Sequence, residues 1–369
     1  MSTTVSRREL LTASALLLAG PGFALRTAAA ASGPASAGPL VLCWNENPYG
    51  PSPAAREVVA RSIADGCRYP SDEDLDALSK ALAQRDGTRP DHIAIGTGSG
   101  ELLCALGLLC ARDGGELIAA EPTYLELPEY AQRAGAVVRF VPVDGQLRHD
   151  LDAMGGAVTA RTRALYLCNP NNPTGTAVTA AQIRAFVAAL PPHVTVIVDE
   201  AYMDFTTGAG VQSVSELVEG ERRVVILRTF SKIHGMAGLR LGYAVARPDV
   251  AKTLRETTMT TPNILVVRAA PASLADTAFL ADTRRRILAS RARITAELRR
   301  LNLRYAEPEG NFIFFDTGVP HTKFKEQMKA RNILVGRYFP PFSTWCRVTI
   351  GTESEVDTFL AQLPGALRA

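Results

Sequence analysis

A lysine flanked by a hydroxyl and followed by glycines and an arginine is the first segment equipped for chemistry. Lys232 lies in the run RTFSKIHGMAGLR at 228–240, with Ser231 before it and Arg240 eight residues after it. A lysine held in a dry pocket, where desolvation and nearby cations lower its pKa, can condense with an aldehyde. The Ser231 hydroxyl and the Arg240 guanidinium suit a phosphate dianion. Taken alone, the run reads equally well as an ordinary basic turn.

Three more segments supply complementary parts. The run VIVDEAY at 196–202 is an apolar strand that delivers Asp199 at its C-terminal end, where parallel sheets build their sites. A carboxylate there can keep a pyridine nitrogen protonated, which makes the ring an electron sink. Tyr202 can hydrogen-bond a phenolic oxygen on the same ring. A strand ending in a solvated Asp-Glu pair explains this run alone at least as well. The run NPNNPTG at 169–175 also follows an apolar stretch, and its prolines and glycine impose an irregular loop from which Asn172 can reach that oxygen. In GTGSGE at 96–101, glycines allow close approach to an anion. The amides of Ser99 and Gly100 open a helix whose N-terminus favours phosphate. That run matches a dinucleotide fingerprint only in part, because the third glycine of GxGxxG is missing. Each segment meets a different need of one cofactor, pyridoxal 5'-phosphate (PLP).

The elements that must hold these residues follow from periodicity. Apolar runs rich in Val and Ile predict strands over 92–96, 116–120, 137–141, 164–167, 194–198, 224–227 and 242–246. Helical spacing fills the gaps, as at 100–111 and 180–190. This alternation predicts an α/β fold with a mostly parallel, doubly covered sheet of seven strands. Near Val250 the texture changes. A long Arg-rich helix over 278–301 precedes short apolar runs at 311–315, 333–336 and 346–350, as in a smaller α+β domain. The boundaries read as 40–255 for a large domain, with an N-terminal segment, and 256–369 for a small one.

Composition narrows the partners. The chain of 369 residues is 47% hydrophobic and 21% charged with net charge +3, enough apolar content for a sizeable core. No Lys/Arg run interleaves with aromatics, so nucleic acid is not an implied partner. The six cysteines form no CxxC pair and no metal-ligand spacing. Arg7 and Arg8 form a twin-arginine pattern ahead of an apolar stretch at 13–22, and Ala28 to Ala30 offer a small-residue cleavage site. Residues 1–30 therefore read as an export signal and 31–39 as a flexible leader. The expectation is export by a twin-arginine route to the periplasm or outside the cell, with no stable membrane association after cleavage.

In combination and order, the four chemical segments resemble the class I/II (fold type I) PLP-dependent aminotransferases, most closely the histidinol-phosphate aminotransferase group. The likeness runs from about Leu42 to the end. The run NENPYGPSP at 45–53 resembles that group's N-terminal signature, which puts Asn47 and Tyr49 at the substrate. The run EPTY at 121–124 resembles its ring-stacking segment, so Tyr124 is expected against the pyridine. The resemblance implies that Lys232 carries the cofactor covalently and shuttles a proton, and that Asp199 holds the pyridinium. Asn172 and Tyr202 would hold the phenolic oxygen, and Ser99, Gly100, Ser231 and Arg240 the phosphate. Tyr69 matches a tyrosine that reaches the phosphate of a neighbouring subunit, which implies a homodimer with shared sites. Arg347 matches the arginine that grips the substrate's acidic group, with Arg337 assisting. Two departures stand out: the family often has Asp where this chain has Gly100, and its N-terminal arm, which can help close the site over substrate, has no clear counterpart ahead of Leu42.

The implied activity is transfer of an amino group between an amino acid or amine, of the histidinol-phosphate or aromatic type, and a 2-oxo acid. The same residues also serve decarboxylation or oxygen-dependent oxidation, which stay open. A PLP-binding protein without turnover would more naturally have lost Lys232 or Asp199.

Overall fold

The computed structural model describes residues 38–220 and 223–368. The segment expected to be an export signal, and all but the last two residues of the expected leader, lie outside the described residues. In chain order, β1 (Leu40–Leu42) is followed by α1 (Pro53–Ser62), α2 (Asp72–Asp86), β2 (Ile93–Gly96), α3 (Ser99–Ala111), β3 (Glu116–Glu121), α4 (Glu126–Arg133) and β4 (Val137–Pro142). Next come α5 (Leu151–Gly156), β5 (Thr162–Cys168), α6 (Ala180–Ala189), β6 (Thr195–Asp199), β7 (Val224–Thr229), β8 (Gly242–Ala246), α7 (Pro248–Thr257) and α8 (Ile264–Ala275). The rest is α9 (Thr277–Arg300), β9 (Phe312–Asp316), α10 (His321–Ala330), β10 (Ile333–Val335), β11 (Trp345–Thr349) and α11 (Glu353–Leu367).

Strands β2 to β8 form a seven-stranded sheet in the order β2-β8-β7-β6-β5-β3-β4. Only β8 runs against its neighbours, pairing antiparallel with both β2 and β7. The strands read as unbroken apolar runs because each face carries its own core. Val196 and Val198 of β6 pack with Leu165, Leu167, Val224 and Ile226 on one side. Ile197 packs with Ala164, Tyr166, Val225 and Leu227 on the other. That partition is the two-residue period of a strand expressed in a sheet covered by helices on both sides. The helix starts are fixed locally. Capping boxes pair Ser71 with Asp74, Thr179 with Gln182 and Thr352 with Glu355.

A second core gathers β1, β9, β10, β11, α9, α10 and α11, with Phe312, Phe315, Phe324 and Phe359 fully buried. Packing divides the two cores differently from the change of texture near Val250. Helix α8 places Val266, Val267, Ala269 and Ala270 in the sheet's core beside α1 and α2, so residues up to Ala275 belong with the larger part. Its apolar sequence, ILVVRAAPASLA, is covered there by the larger core. Conversely, β1 pairs in parallel with β10 and contributes Leu42 to the second core, although it opens the described chain. Long-range pairing of this kind leaves no mark on local periodicity.

Candidate active site

The site lies where the two cores meet, beyond the C-terminal ends of β5, β6 and β7, around a cavity of about 680 Å³. Asp199 ends β6 and points into it, 2% exposed; Glu200 turns the opposite way. The two carboxylates are not a solvated pair. Glu200 is buried and faces Arg228 at 3.0 Å, and Arg228 also lies 2.9 Å from Asp86. Asp199 accepts from the Ala201 amide at 3.1 Å and from the Tyr166 hydroxyl at 3.1 Å. Burial pushes its pKa up to about 6, so it favours a cation beside it over solitary ionisation.

Lys232 stands two residues beyond the Phe230 that follows β7, and it lines the same cavity. Its Nζ donates to the Asn45 carbonyl at 3.1 Å and to the Trp44 carbonyl at 3.4 Å. Burial, and next the charge of Arg347, lower its pKa to about 8, so that about a tenth of the amine is neutral and nucleophilic at pH 7, far more than for a solvated lysine.

Tyr202 is buried, and its hydroxyl accepts from the Asn172 amide at 3.3 Å and from the Asn45 amide at 3.1 Å. Asn45 makes that contact because its backbone sits in the left-handed region at φ 55°, which asparagine tolerates better than most residues. In the neighbouring loop, Asn171 donates to the Pro122 carbonyl and accepts from Thr123, fixing the segment that carries Tyr124.

The anion cup has the expected parts. Ser99 and Gly100 begin α3, and Ser231 and Arg240 face them across the cavity mouth. Arg240 donates to the Ser231 hydroxyl at 3.4 Å. Gly98 has φ +81°, and a Cβ there would run into the Arg240 guanidinium, so only glycine lets backbone and cation close on the same space. On the opposite wall, Arg347 is buried and lies over Phe312 and Phe339 at 5.6 and 5.1 Å. Its Nη1 donates to Asn172 Oδ1 at 2.6 Å and its Nη2 to the Cys43 carbonyl at 2.7 Å, while its buried Nε has no partner among the described residues. Arg337 lies on the same wall, 4.4 Å over Phe339.

Eleven of the fourteen residues singled out from sequence line this cavity, and three do not. Asn47 is buried, donating to the Ile233 carbonyl at 2.8 Å and accepting from the Tyr49 amide at 3.0 Å. It ties the N-terminal segment to the lysine loop and is spent on that task. Tyr49 packs on the second core beneath Arg286. Neither is a cavity residue, because the turn at 47–50 directs both side chains into scaffold. Tyr69 is 86% exposed and stands outside the cavity of its own chain.

Sequence reasoning missed Tyr166 and the site role of Asn45. Tyr166 sits mid-strand, where an aromatic reads as core. Its partner Asp199 belongs to the next strand, and only the pairing of β5 with β6 brings the two together.

This donor set fits PLP. A buried carboxylate, a lysine with a lowered pKa, a tyrosine hydroxyl fed by two amides and a glycine-lined anion cup surround one space. A seven-stranded sheet with this site at its strand ends defines a PLP-dependent enzyme of fold type I.

The chain belongs to the class I and II aminotransferases, whose sequence pattern matches residues 37–363. It is 38% identical over 328 residues to a histidinol-phosphate aminotransferase of Moorella thermoacetica, covering 88% of this chain and 84% of that one. It is 37% identical over 327 residues to an aromatic amino acid aminotransferase of Rhodococcus jostii, covering 88% and 89%. The fold is similar to that of histidinol-phosphate aminotransferase from Sinorhizobium meliloti in complex with PLP, with TM-score 0.82 and 28% identity over 89% of this chain and 90% of that one. The protein is a PLP-dependent aminotransferase.

Proposed function

We propose that the amino donor is an amino acid with an aromatic side chain, its α-carboxylate taken by Arg347. The observation that carries this reading is the Arg347 guanidinium. It is buried against two phenylalanine rings, with no carboxylate at ion-pair distance among the described residues. A planar fork in that setting awaits an anion, and the rings of Phe339 and the exposed Trp44 line the route beyond it. Histidinol phosphate is the second reading, favoured by Arg337 on the same wall, where two guanidinium groups suit a phosphate.

When bound, PLP supplies an electron sink that makes the substrate's Cα proton acidic. The remaining work falls to the chain. Asp199 would hold a proton on the ring nitrogen, and that cation would keep Asp199 ionised. Asn172 and Tyr202 would hold the phenolic oxygen, and Tyr124 would pack against the ring. Ser99, Gly100, Ser231 and Arg240 would hold the phosphate. Lys232 would take and return the substrate's Cα proton, a task suited to an amine whose pKa lies near the working pH.

Two further features belong to this reading. Tyr69 reaches the phosphate of a second copy, so that a homodimer shares its sites; its exposure supports this. The segment around Arg7 and Arg8 directs export by the twin-arginine route, which accepts folded protein and so allows the cofactor to be loaded first.

The deciding experiment is a set of half-reaction spectra with aromatic amino acids, aliphatic amino acids and histidinol phosphate. Rapid conversion of bound cofactor to its pyridoxamine form by phenylalanine or tyrosine is expected. Conversion by histidinol phosphate alone would replace the first reading with the second.

A further inference from the structure

We infer that Glu126 fills the place left by Gly100 and acts as a positioning residue of the cofactor site, bracing Tyr124 against the start of α3. The inference rests on reading the cavity as the cofactor's seat.

Gly100 is the second residue of α3, next to Ser99 in the anion cup. A Cβ built on it would lie 2.7 Å from Glu126 Oε1 and 2.9 Å from Oε2. The Glu126 carboxylate therefore occupies the volume that a side chain at position 100 would need. It comes from the first residue of a different helix, α4.

Helices α3 and α4 meet closely along one glycine-bearing face. At Gly107, two turns further on, a Cβ would stand 2.9 Å from the Ala131 amide nitrogen of α4. The two glycines thus bring the helices together, and Glu126 is lodged at the cavity end of their contact. There its carboxylate accepts the Tyr124 hydroxyl at 2.6 Å, a short charge-assisted bond. A negative group beside a helix N-terminus is also electrostatically favoured.

Glu126 lines the same cavity as the anion cup, so its charge opposes a phosphate dianion, while its acceptor oxygen orients the stacking tyrosine. Charge and acceptor make opposite predictions, which allows them to be separated. If acceptance of the Tyr124 hydroxyl is the role, an uncharged acceptor will serve.

The test compares the rate of cofactor loss from diluted holoenzyme, and the absorbance maximum of bound cofactor, across variants. Glu126→Ala and Tyr124→Phe should each speed loss by about tenfold or more, the scale of one charge-assisted hydrogen bond, and shift the absorbance in the same sense. Glu126→Gln should stay within about twofold of wild type on the same scale. Gly100→Asp puts two carboxylates in one space and should speed loss further. Adding Glu126→Ala to Gly100→Asp should restore slow loss, because the carboxylate is then supplied once again by α3.

Wild-type behaviour of Glu126→Ala would overturn the inference, as would a double variant no better than Gly100→Asp alone. If Glu126→Ala does not fold, Tyr124→Phe and the Gly100→Asp pair decide. Lys232→Ala serves as the reference for loss of covalent attachment. If that variant releases cofactor no faster than wild type, the reading of the cavity itself fails, independently of Glu126.

Discussion

The Tyr166 hydroxyl, on β5, donates to Asp199 Oδ2, on β6, at 3.1 Å. With the Ala201 amide and the charge of Lys232 it offsets part of the cost of a carboxyl buried in the sheet's end, and burial still raises the Asp199 pKa to about 6. A carboxyl raised from 3.8 to about 6 binds its proton more tightly when folded. Its contribution to stability is therefore full below pH 3.8 and is lost as pH rises through 6. In cofactor-free protein, Asp199→Asn should stabilise the fold at pH 8 by roughly 3 kcal/mol at most, seen as a higher melting temperature, and lose that advantage near pH 4. The same variant should cut transamination by about 10²-fold or more, as loss of a preorganised charge does. An unchanged melting temperature at pH 8 would show that water or a counter-ion already neutralises the buried charge.

Lys232→Ala should abolish the absorbance of covalently held cofactor and lower turnover by about 10³-fold or more, the range for loss of a positioned base and nucleophile. In wild type, the neutral amine is the reacting form. The rate at which apoprotein captures PLP should rise with pH and level off above about 8, where the lowered pKa places the titration. A midpoint near 10 would mean that Nζ is solvated like a surface lysine.

Arg347→Ala removes a buried cation and leaves the Asn172 oxygen without its donor. The expected loss in kcat/KM for amino-acid donors is about 10²-fold, the scale of a charged pair at a buried site. Steady-state kinetics on phenylalanine check it. Arg347→Lys should recover little, because a point charge does not reproduce the planar fork.

Tyr69→Phe removes one hydroxyl of an exposed side chain that does not line its own chain's cavity. If it serves a second copy, the variant should remain dimeric by sedimentation and release cofactor about tenfold faster or more, as for one lost hydrogen bond to a charge. A monomeric wild-type protein would end that assignment.

Replacing Arg7 and Arg8 by lysine should keep the protein in the cytoplasm with its activity intact. Fractionation of cells checks this. Continued export of the double variant would remove the twin-arginine route.

Much of the site was legible because its parts are local. A strand that ends in a carboxylate, a glycine-rich helix start and a serine-lysine turn each encode their geometry within a few residues, and chain order assembled them into one cofactor's requirements. The seven strands were legible too, since runs such as Val224–Thr229 are apolar on both faces. The misplaced features are those set by partners distant in sequence. Asn47 looked like a substrate residue until its amide was found on Ile233, and α8 looked like small-domain sequence until it was found on α1 and α2.

What the sequence determined alone was the chemistry, since residue type sets which group can bond a carbonyl, a pyridinium or a phosphate. What only the tertiary structure decided was the company those groups keep. Tyr166 beneath Asp199, Asn45 on Tyr202 and Glu126 in the space over Gly100 join separate elements. Burial and pKa depend on the summed surroundings of an atom, and no local pattern carries that sum.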